Sequence, residues 1–296
     1  MPIFNVHGSK NVNKVYIFNI SWSKASGYSN IMNTNISIIL TIFNKGAILE
    51  RILLALLKHT SNTVNEYIFV LDGCTDNSEQ IVRNNLHAIP HSATHTIIKT
   101  DDVFELRANN AGLRICKNEY AILVQDDMQI EEEGWNDRLM KPILQYPDIW
   151  AVTARTSCSL HPDGYWHNIC EGPVGHKYTK DAKFARNVAF VGQVVNRGPL
   201  LVKVPVLKEV GYFDESLPGC IGCDDVDACL KIFERFGLRS CSFWIAYNSP
   251  LEWGTTRVGP NADFVRSEER RNMREVMLRY PNLIRNWKFD EVREIK

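Results

Sequence analysis

The chain has 296 residues, and 34 Lys+Arg balance 34 Asp+Glu, so no global basic field draws it to nucleic acid or anionic lipid. Hydrophobic residues at 45% and charged residues at 23% are ordinary for a globular protein, which excludes disorder, collagen-like repeats and coiled coil as descriptions of the whole. No stretch approaches 18 consecutive apolar residues, so no membrane span is expected, and the N-terminus lacks the pattern of a secretory signal. The eight cysteines are scattered, which suits reduced thiols and a cytoplasmic location. Cys220 and Cys223 form a lone CxxC, with no second pair to complete a zinc site.

Residues 1–34, rich in Asn, Ser and Lys, read as an N-terminal extension in which Lys14–Ile20 could form a strand. Ile36–Phe43 is a continuous apolar run rich in β-branched residues, the pattern of a parallel strand buried on both faces. Ile48, Ile52, Leu53, Leu56 and Leu57 follow at helical spacing. Tyr67–Leu71 is a second strand, Glu79–Leu86 a helix, Thr96–Lys99 a third strand, Asn110–Cys116 a helix and Tyr120–Val124 a fourth strand. This alternation predicts an α/β fold with a doubly wound, mostly parallel sheet. Beyond residue 150 the pattern loosens, and residues 155–190 read as a long irregular stretch. Order resumes over Val191–Lys203 and Val206–Phe213. A helix is expected at Val226–Phe236, closed by Gly237, then a strand at Ser242–Tyr247 and a charged helix with a solvated face at 262–279.

Polar residues stand just past three of the four strands: Asn44, Asp72, and the pair Asp126 and Asp127. In open α/β sheets ligands bind at those carboxyl ends, although Asp and Asn also favour turns. Two adjacent carboxylates repel unless a cation offsets them, and their oxygens suit Mg²⁺ or Mn²⁺ carried with a diphosphate. Asp225 opens the helix at Val226, where a carboxylate is favoured by the helix dipole and is also placed to act as a general base. His161, His167 and His176 match no metal spacing. No GxGxxG follows a strand, and GxxxxGK[ST], HExxH and GxSxG are missing.

Six blocks in order resemble the family 2 glycosyltransferases, which have the GT-A fold. They are Ile36–Asn44, Glu66–Ser78, Ala108–Leu113, Glu119–Asp127, Val210–Glu215 and Asp224–Lys231, and the likeness covers about residues 35–256. The resemblance implies a nucleotide-sugar donor, a divalent metal (Mn²⁺ or Mg²⁺) and transfer to the hydroxyl of a carbohydrate or other acceptor with inversion. It implies that Thr41 and Phe43 line the nucleoside pocket and that Asp72 accepts from the uracil of a UDP-linked donor. Asp126 would face the ribose or diphosphate, Asp127 would bind the metal and Asp225 would be the catalytic base. It divides the chain into the extension 1–34, a catalytic domain 35–256 (donor half 35–130, acceptor half 131–256) and a helical tail 257–296. The chain departs from the family pattern at Leu71, Asn109, Gln125 and Asp224, of which Gln125 stands where the metal motif usually has its first Asp. The family's His after the base-bearing helix is missing, and Glu252 is the nearest substitute. Tyr165, Trp166, Tyr212 and Trp253 are candidates to stack on an acceptor sugar. Two other readings stay open: a nucleotidyltransferase, for which Asn44-Lys-Gly is a poor phosphate loop, and a catalytically silent sugar-nucleotide or glycan-binding module.

Overall fold

The fold is taken from a computed structural model that describes residues 34–155, 157–160, 166–168, 186–254, 261–286 and 291–296. The possible strand Lys14–Ile20, Tyr165, His161 and His176 lie outside the described residues.

The first half alternates as expected: β1 (Ile36–Ile42), α1 (Leu49–His59), β2 (Val64–Asp72), α2 (Ser78–Asn85), β3 (Thr94–Thr100), α3 (Phe104–Ile115) and β4 (Tyr120–Gln125). β5 (Gln129–Ile130), α4 (Trp135–Gln145), β6 (Ile149–Thr153), β7 (Ser157–Leu160), β8 (Trp166–Asn168), β9 (Val188–Gly192), β10 (Val194–Val195) and β11 (Leu200–Lys203) follow. The chain continues through α5 (Val204–Glu209), α6 (Asp224–Phe236), β12 (Arg239–Phe243), β13 (Tyr247–Asn248), α7 (Ala262–Arg279), α8 (Pro281–Asn286) and β14 (Glu291–Glu294). Among the described residues nine strands form the main sheet, in the order β14-β9-β12-β6-β11-β4-β1-β2-β3. The pairs β1–β2, β1–β4, β2–β3 and β6–β12 are parallel, and β11 enters antiparallel between β4 and β6.

β1 is buried at every position because both faces of the sheet are covered. Its side chains alternate between the two faces. Ile36, Ile38, Leu40 and Ile42 join one core with Leu53 and Leu56 of α1, Val82 of α2 and Trp135 and Leu139 of α4. Ile39 joins the other with Leu106 and Leu113 of α3, Val226 and Leu230 of α6 and Val276 of α7. The doubly wound arrangement follows directly from that alternation.

Four expectations change. α3 starts at Phe104, six residues before its predicted start, because Leu106 and Ala108 extend its buried face. The strand expected at Ser242–Tyr247 splits: β12 ends at Phe243, and β13 pairs with β5 instead. Between them the Ala246 amide donates to the Glu132 carboxylate (2.8 Å) and its carbonyl accepts from Glu131 N–H (3.0 Å), so the backbone is satisfied away from the sheet. Residues 257–296 are not a wholly helical tail. β14 returns to the main sheet against β9, with Arg293 clamped in two bonds on Asp148 (2.7 and 2.8 Å). Finally, α7 is more than a solvated face. Its buried Asn272 accepts from Gly219 N–H and donates to the carbonyls of Gly219 (3.1 Å), Ile221 (3.1 Å) and Gly222 (2.7 Å). That one side chain fixes the loop before α6.

α3 lies close on the sheet because Gly112 has no side chain: a Cβ there would meet Ile39 Cγ2 at 2.5 Å and Val70 Cγ2 at 3.3 Å. Gly→Ala in a helix interior ordinarily gains up to about 1 kcal/mol. Overpacking a closed core costs about 1–3 kcal/mol, so the clash should win. Gly112→Ala is expected to lower the urea midpoint with an unchanged m-value; a raised midpoint would contradict the close packing of α3 on β1.

Candidate active site

The parallel register sets the site. Thr41 of β1 is opposite Gln125 of β4, and Asp72 of β2 is opposite Thr100 of β3. The residues that follow these strand ends therefore converge beyond the carboxyl edge of the sheet. A cavity of about 360 Å³ opens there, and Thr41, Phe43, Asp72, Asp126 and Asp127 all line it. Asp225 does not line it.

Thr41, Asp72 and Asp126 are held by their neighbours. Thr41 Oγ1 donates to Asn109 Oδ1 (2.8 Å). Asp72 Oδ1 accepts from Thr100 Oγ1 (2.7 Å) and from the Val103 amide (2.8 Å), which ties the loop after β3 to the cavity wall. The flanking Asp102 and Phe104 both have positive φ, 52° and 66°, so this loop is strained where it meets the cavity. Asp126 Oδ2 accepts from the Phe43 amide (2.7 Å), and the buried Lys45 ammonium is 3.6 Å from its Oδ1. Asp127 Oδ1 is buried without a hydrogen-bond partner. A buried carboxylate oxygen left unpaired is costly, and a cation at the cavity would satisfy it. Among the described residues no cluster of three or more His, Cys, Asp or Glu side chains could hold a metal ion. A cation here would thus take one or two carboxylates and complete its shell from a diphosphate and water, as Mg²⁺ commonly does. Glu252, the nearest substitute for the family's histidine, is exposed.

Asp225 lies in the first turn of α6 and joins the cavity through a chain of bonds. Its Oδ2 accepts from the Arg197 amide (2.9 Å) and its Oδ1 from the Val226 amide (2.9 Å). The Arg197 guanidinium pairs with Asp224 and lies 3.2 Å from Glu105 Oε1. Glu105 lines the cavity and accepts from Gln125 Nε2 (2.8 Å). Burial alone would raise the Glu105 carboxyl, yet Arg197 and the Gln125 bond hold it below its ordinary value.

Sequence reasoning passed over Lys45, Glu105, Arg197 and the wall supplied by Ile221, Asn261, Phe264 and Val265. Lys45 stood in a segment weighed only as a phosphate loop. Arg197 has no periodic or motif signal, and Phe264 and Val265 come from a helix whose charges hid its inward face. Of the stacking candidates, Trp253 accepts through its carbonyl from Lys45 Nζ and carries Arg51 over its ring at 4.4 Å, so it stands beside the cavity. Tyr212 instead carries Arg114 at 5.8 Å and packs with the core on the α3 side of the sheet. For Trp166 and His167 only the backbone, in β8, is described. Cys220 and Cys223 are free thiols, both pushed up by burial, which argues against redox work.

A mostly parallel sheet with acidic residues gathered outside its carboxyl edge is the layout of a glycosyltransferase of the GT-A type. The sequence matches the family described as Glycosyl transferase family 2 over residues 37–195, more than half its length, and the chain belongs to that family. Comparison with curated proteins gives no match. Among solved structures, the fold resembles GalNAc-T7 with UDP, GalNAc and Mn²⁺ (TM-score 0.58, 13% identity, 79% of this chain and 48% of that one). It also resembles S. aureus TarS (0.54, 16%, 86% and 41%). A third likeness is to glucosyl-3-phosphoglycerate synthase from Mycobacterium tuberculosis, in complex with Mg²⁺ and UDP (0.54, 13%, 85% and 81%). The chain therefore spans less than half the length of the first two. No helix among the described residues is long and apolar enough to cross a membrane.

Burial, together with Asp127 and Glu105, pushes the Asp126 carboxyl up to about 7, against the pull of Lys45 and the Phe43 amide. A carboxyl raised on folding holds extra protons between its ordinary 3.8 and about 7, so its contribution to stability is full below that window and lost as pH rises through it. Asp126→Asn removes this titration and keeps an oxygen to accept from Phe43. Its melting temperature relative to the natural chain should climb from pH 4 to pH 7 and then level off. Parallel melting profiles across that range would show that Asp126 ionises normally.

Proposed function

We propose that the protein is an inverting glycosyltransferase that moves a sugar from a UDP-linked donor to an acceptor hydroxyl with the help of Mn²⁺ or Mg²⁺. The observation that carries this reading is the unpartnered, buried Asp127 oxygen in a cavity joined to Asp225 by consecutive polar contacts. Thr41 and Phe43 form the nucleoside wall, and Asp72 accepts from the base. Asp126 faces the ribose or diphosphate, while Asp127 holds the cation. The donor half is residues 35–130 and the acceptor half 131–256. A cytoplasmic location belongs to the same proposal.

The reaction is a single in-line displacement. Asp225 takes the proton of the acceptor hydroxyl as its oxygen attacks the anomeric carbon, and the bond from that carbon to the diphosphate oxygen breaks on the opposite face. The bonds from the Arg197 and Val226 amides fix the Asp225 carboxylate, so little reorganisation is needed at the moment of transfer. A cation held by Asp127 would supply positive charge to offset that on the departing diphosphate. The buried Lys45 beside Asp126 adds positive charge to the same wall.

A thermal-shift screen of nucleotide sugars, with and without Mn²⁺, should give its largest stabilisation with UDP-linked donors. Release of pyrophosphate from a nucleoside triphosphate would favour a nucleotidyltransferase instead. Asp225→Asn should lower turnover by roughly 10²- to 10⁴-fold, the usual contribution of a placed base, and leave nucleotide binding intact. Near-normal turnover in that variant removes Asp225 from the base role. Asp127→Ala should abolish the Mn²⁺-dependent part of UDP binding in a calorimetric titration; an unchanged titration would relocate the cation.

A further inference from the structure

Gln125 stands where the family's metal motif usually begins with Asp, and taken alone it reads as a weakened site. Its surroundings say otherwise. The amide donates to Glu105 Oε1 at 2.8 Å, and the same oxygen lies 3.2 Å from Arg197 Nη1. Arg197 is buried at 7% exposure, stacked 5.2 Å over the Phe213 ring, with its carbonyl accepting from Arg155 (3.2 Å). Its second guanidinium nitrogen pairs with Asp224, and its amide donates to Asp225. Space for the Gln125 side chain is also provided: at Gly198, next to Arg197 and at φ +101°, a Cβ would come 2.4 Å from Gln125 Oε1 and 2.7 Å from Met128 Cε. Any side chain at 198 would push Gln125 off Glu105.

An Asp at 125, one methylene shorter, would withdraw the donor that Glu105 now accepts from and set a second charge facing it, beside Asp126 and Asp127 in the same cavity. Like charges that close repel strongly in a site shielded from water. Only a neutral donor at 125 lets Glu105 stay ionised toward Arg197.

We infer that Gln125, Glu105 and Arg197 form a positioning chain that ties the donor cavity to the base Asp225, with the amide at 125 as its required link rather than a defect in the metal motif. The inference rests on the glycosyltransferase reading for what the chain positions, but its bonds can be tested separately. Neither Glu105 nor Arg197 is assigned contact with the reacting atoms. They act through the carboxylate of Asp225 and the wall of the cavity.

The test uses the full chain and the variants Gln125→Asp, Glu105→Gln, the two combined, and Arg197→Lys. Probes are UDP with Mn²⁺ for binding and UDP-GlcNAc hydrolysis for turnover. Gln125→Asp, although it restores the family residue, should lower turnover by roughly 10- to 100-fold. Adding Glu105→Gln should recover part of that loss, because it removes the facing charge and its amide oxygen still accepts from Arg197. Arg197→Lys keeps the charge and the backbone amide but loses the fork, so turnover should fall about tenfold while the Kd for UDP moves less than about threefold. Turnover in Gln125→Asp at or above the natural level, or a combined variant no better than Gln125→Asp alone, overturns the inference. If the natural chain neither binds UDP nor hydrolyses UDP-GlcNAc, it is the proposed function that fails. Thermal melting of the same four variants then decides the chain: partial recovery of melting temperature in the combined variant supports it, and additive losses overturn it.

Discussion

Two carboxylates side by side, Asp126 and Asp127, are kept out of bulk water at the end of β4, and most of the surrounding structure answers to that constraint. One of them is tied to the Phe43 amide and approached by Lys45, while the other keeps a buried oxygen without a partner. Neither arrangement is stable in isolation, because desolvated charge must be matched or neutralised. The strands supply the geometry: β1 and β4 run parallel in a register that brings their ends level. The helices supply the rigidity, packed on both sheet faces so that those ends cannot shift independently.

The α/β architecture was legible in the sequence wherever burial imposes a pattern. The run Ile36–Ile42 is apolar without a break because both faces of β1 are covered, and Gly237 closes α6 in the left-handed conformation expected of it. The acidic part of the cavity lining was legible too, since Asp72, Asp126 and Asp127 stand at strand ends. What escaped was whatever long-range contact alone determines. Arg197 meets Glu105 and Asp224 across large sequence separations, and nothing in its neighbourhood signals that its guanidinium turns inward. Glu291–Glu294 has no apolar periodicity to mark a strand, yet β9 offers it an open row of backbone donors and acceptors. Local patterns record burial, and they carry little about which charge will face which.

Helix α7 shows how far the cavity depends on distant sequence. Asn272 closes four bonds to the loop ahead of α6, and that loop delivers Ile221 to the cavity and Asp224 and Asp225 to Arg197. On the same helix Phe264 packs beside Phe104, ring centres 6.3 Å apart, at the cavity wall. Asp227 meets Arg279 (3.1 Å) and Lys231 (3.2 Å), so the far end of α7 is anchored to α6 as well. The matched family segment, residues 37–195, thus supplies most of the cavity lining, and residues beyond it supply Ile221, Asn261, Phe264 and Val265.

Among the described residues the nine-stranded sheet has two rims, β3 on one side and β14 on the other. Open rims are templates for sideways growth into fibrils, and natural proteins blunt them with charge. Lys99 on β3 reaches Glu79 (2.5 Å), and Arg293 on β14 is locked between Glu291 and Asp148. Another strand that approached either rim would have to strip water from these ion pairs before it gained a single backbone bond. The charges at the two outer strands therefore guard a large, otherwise adhesive sheet against self-association.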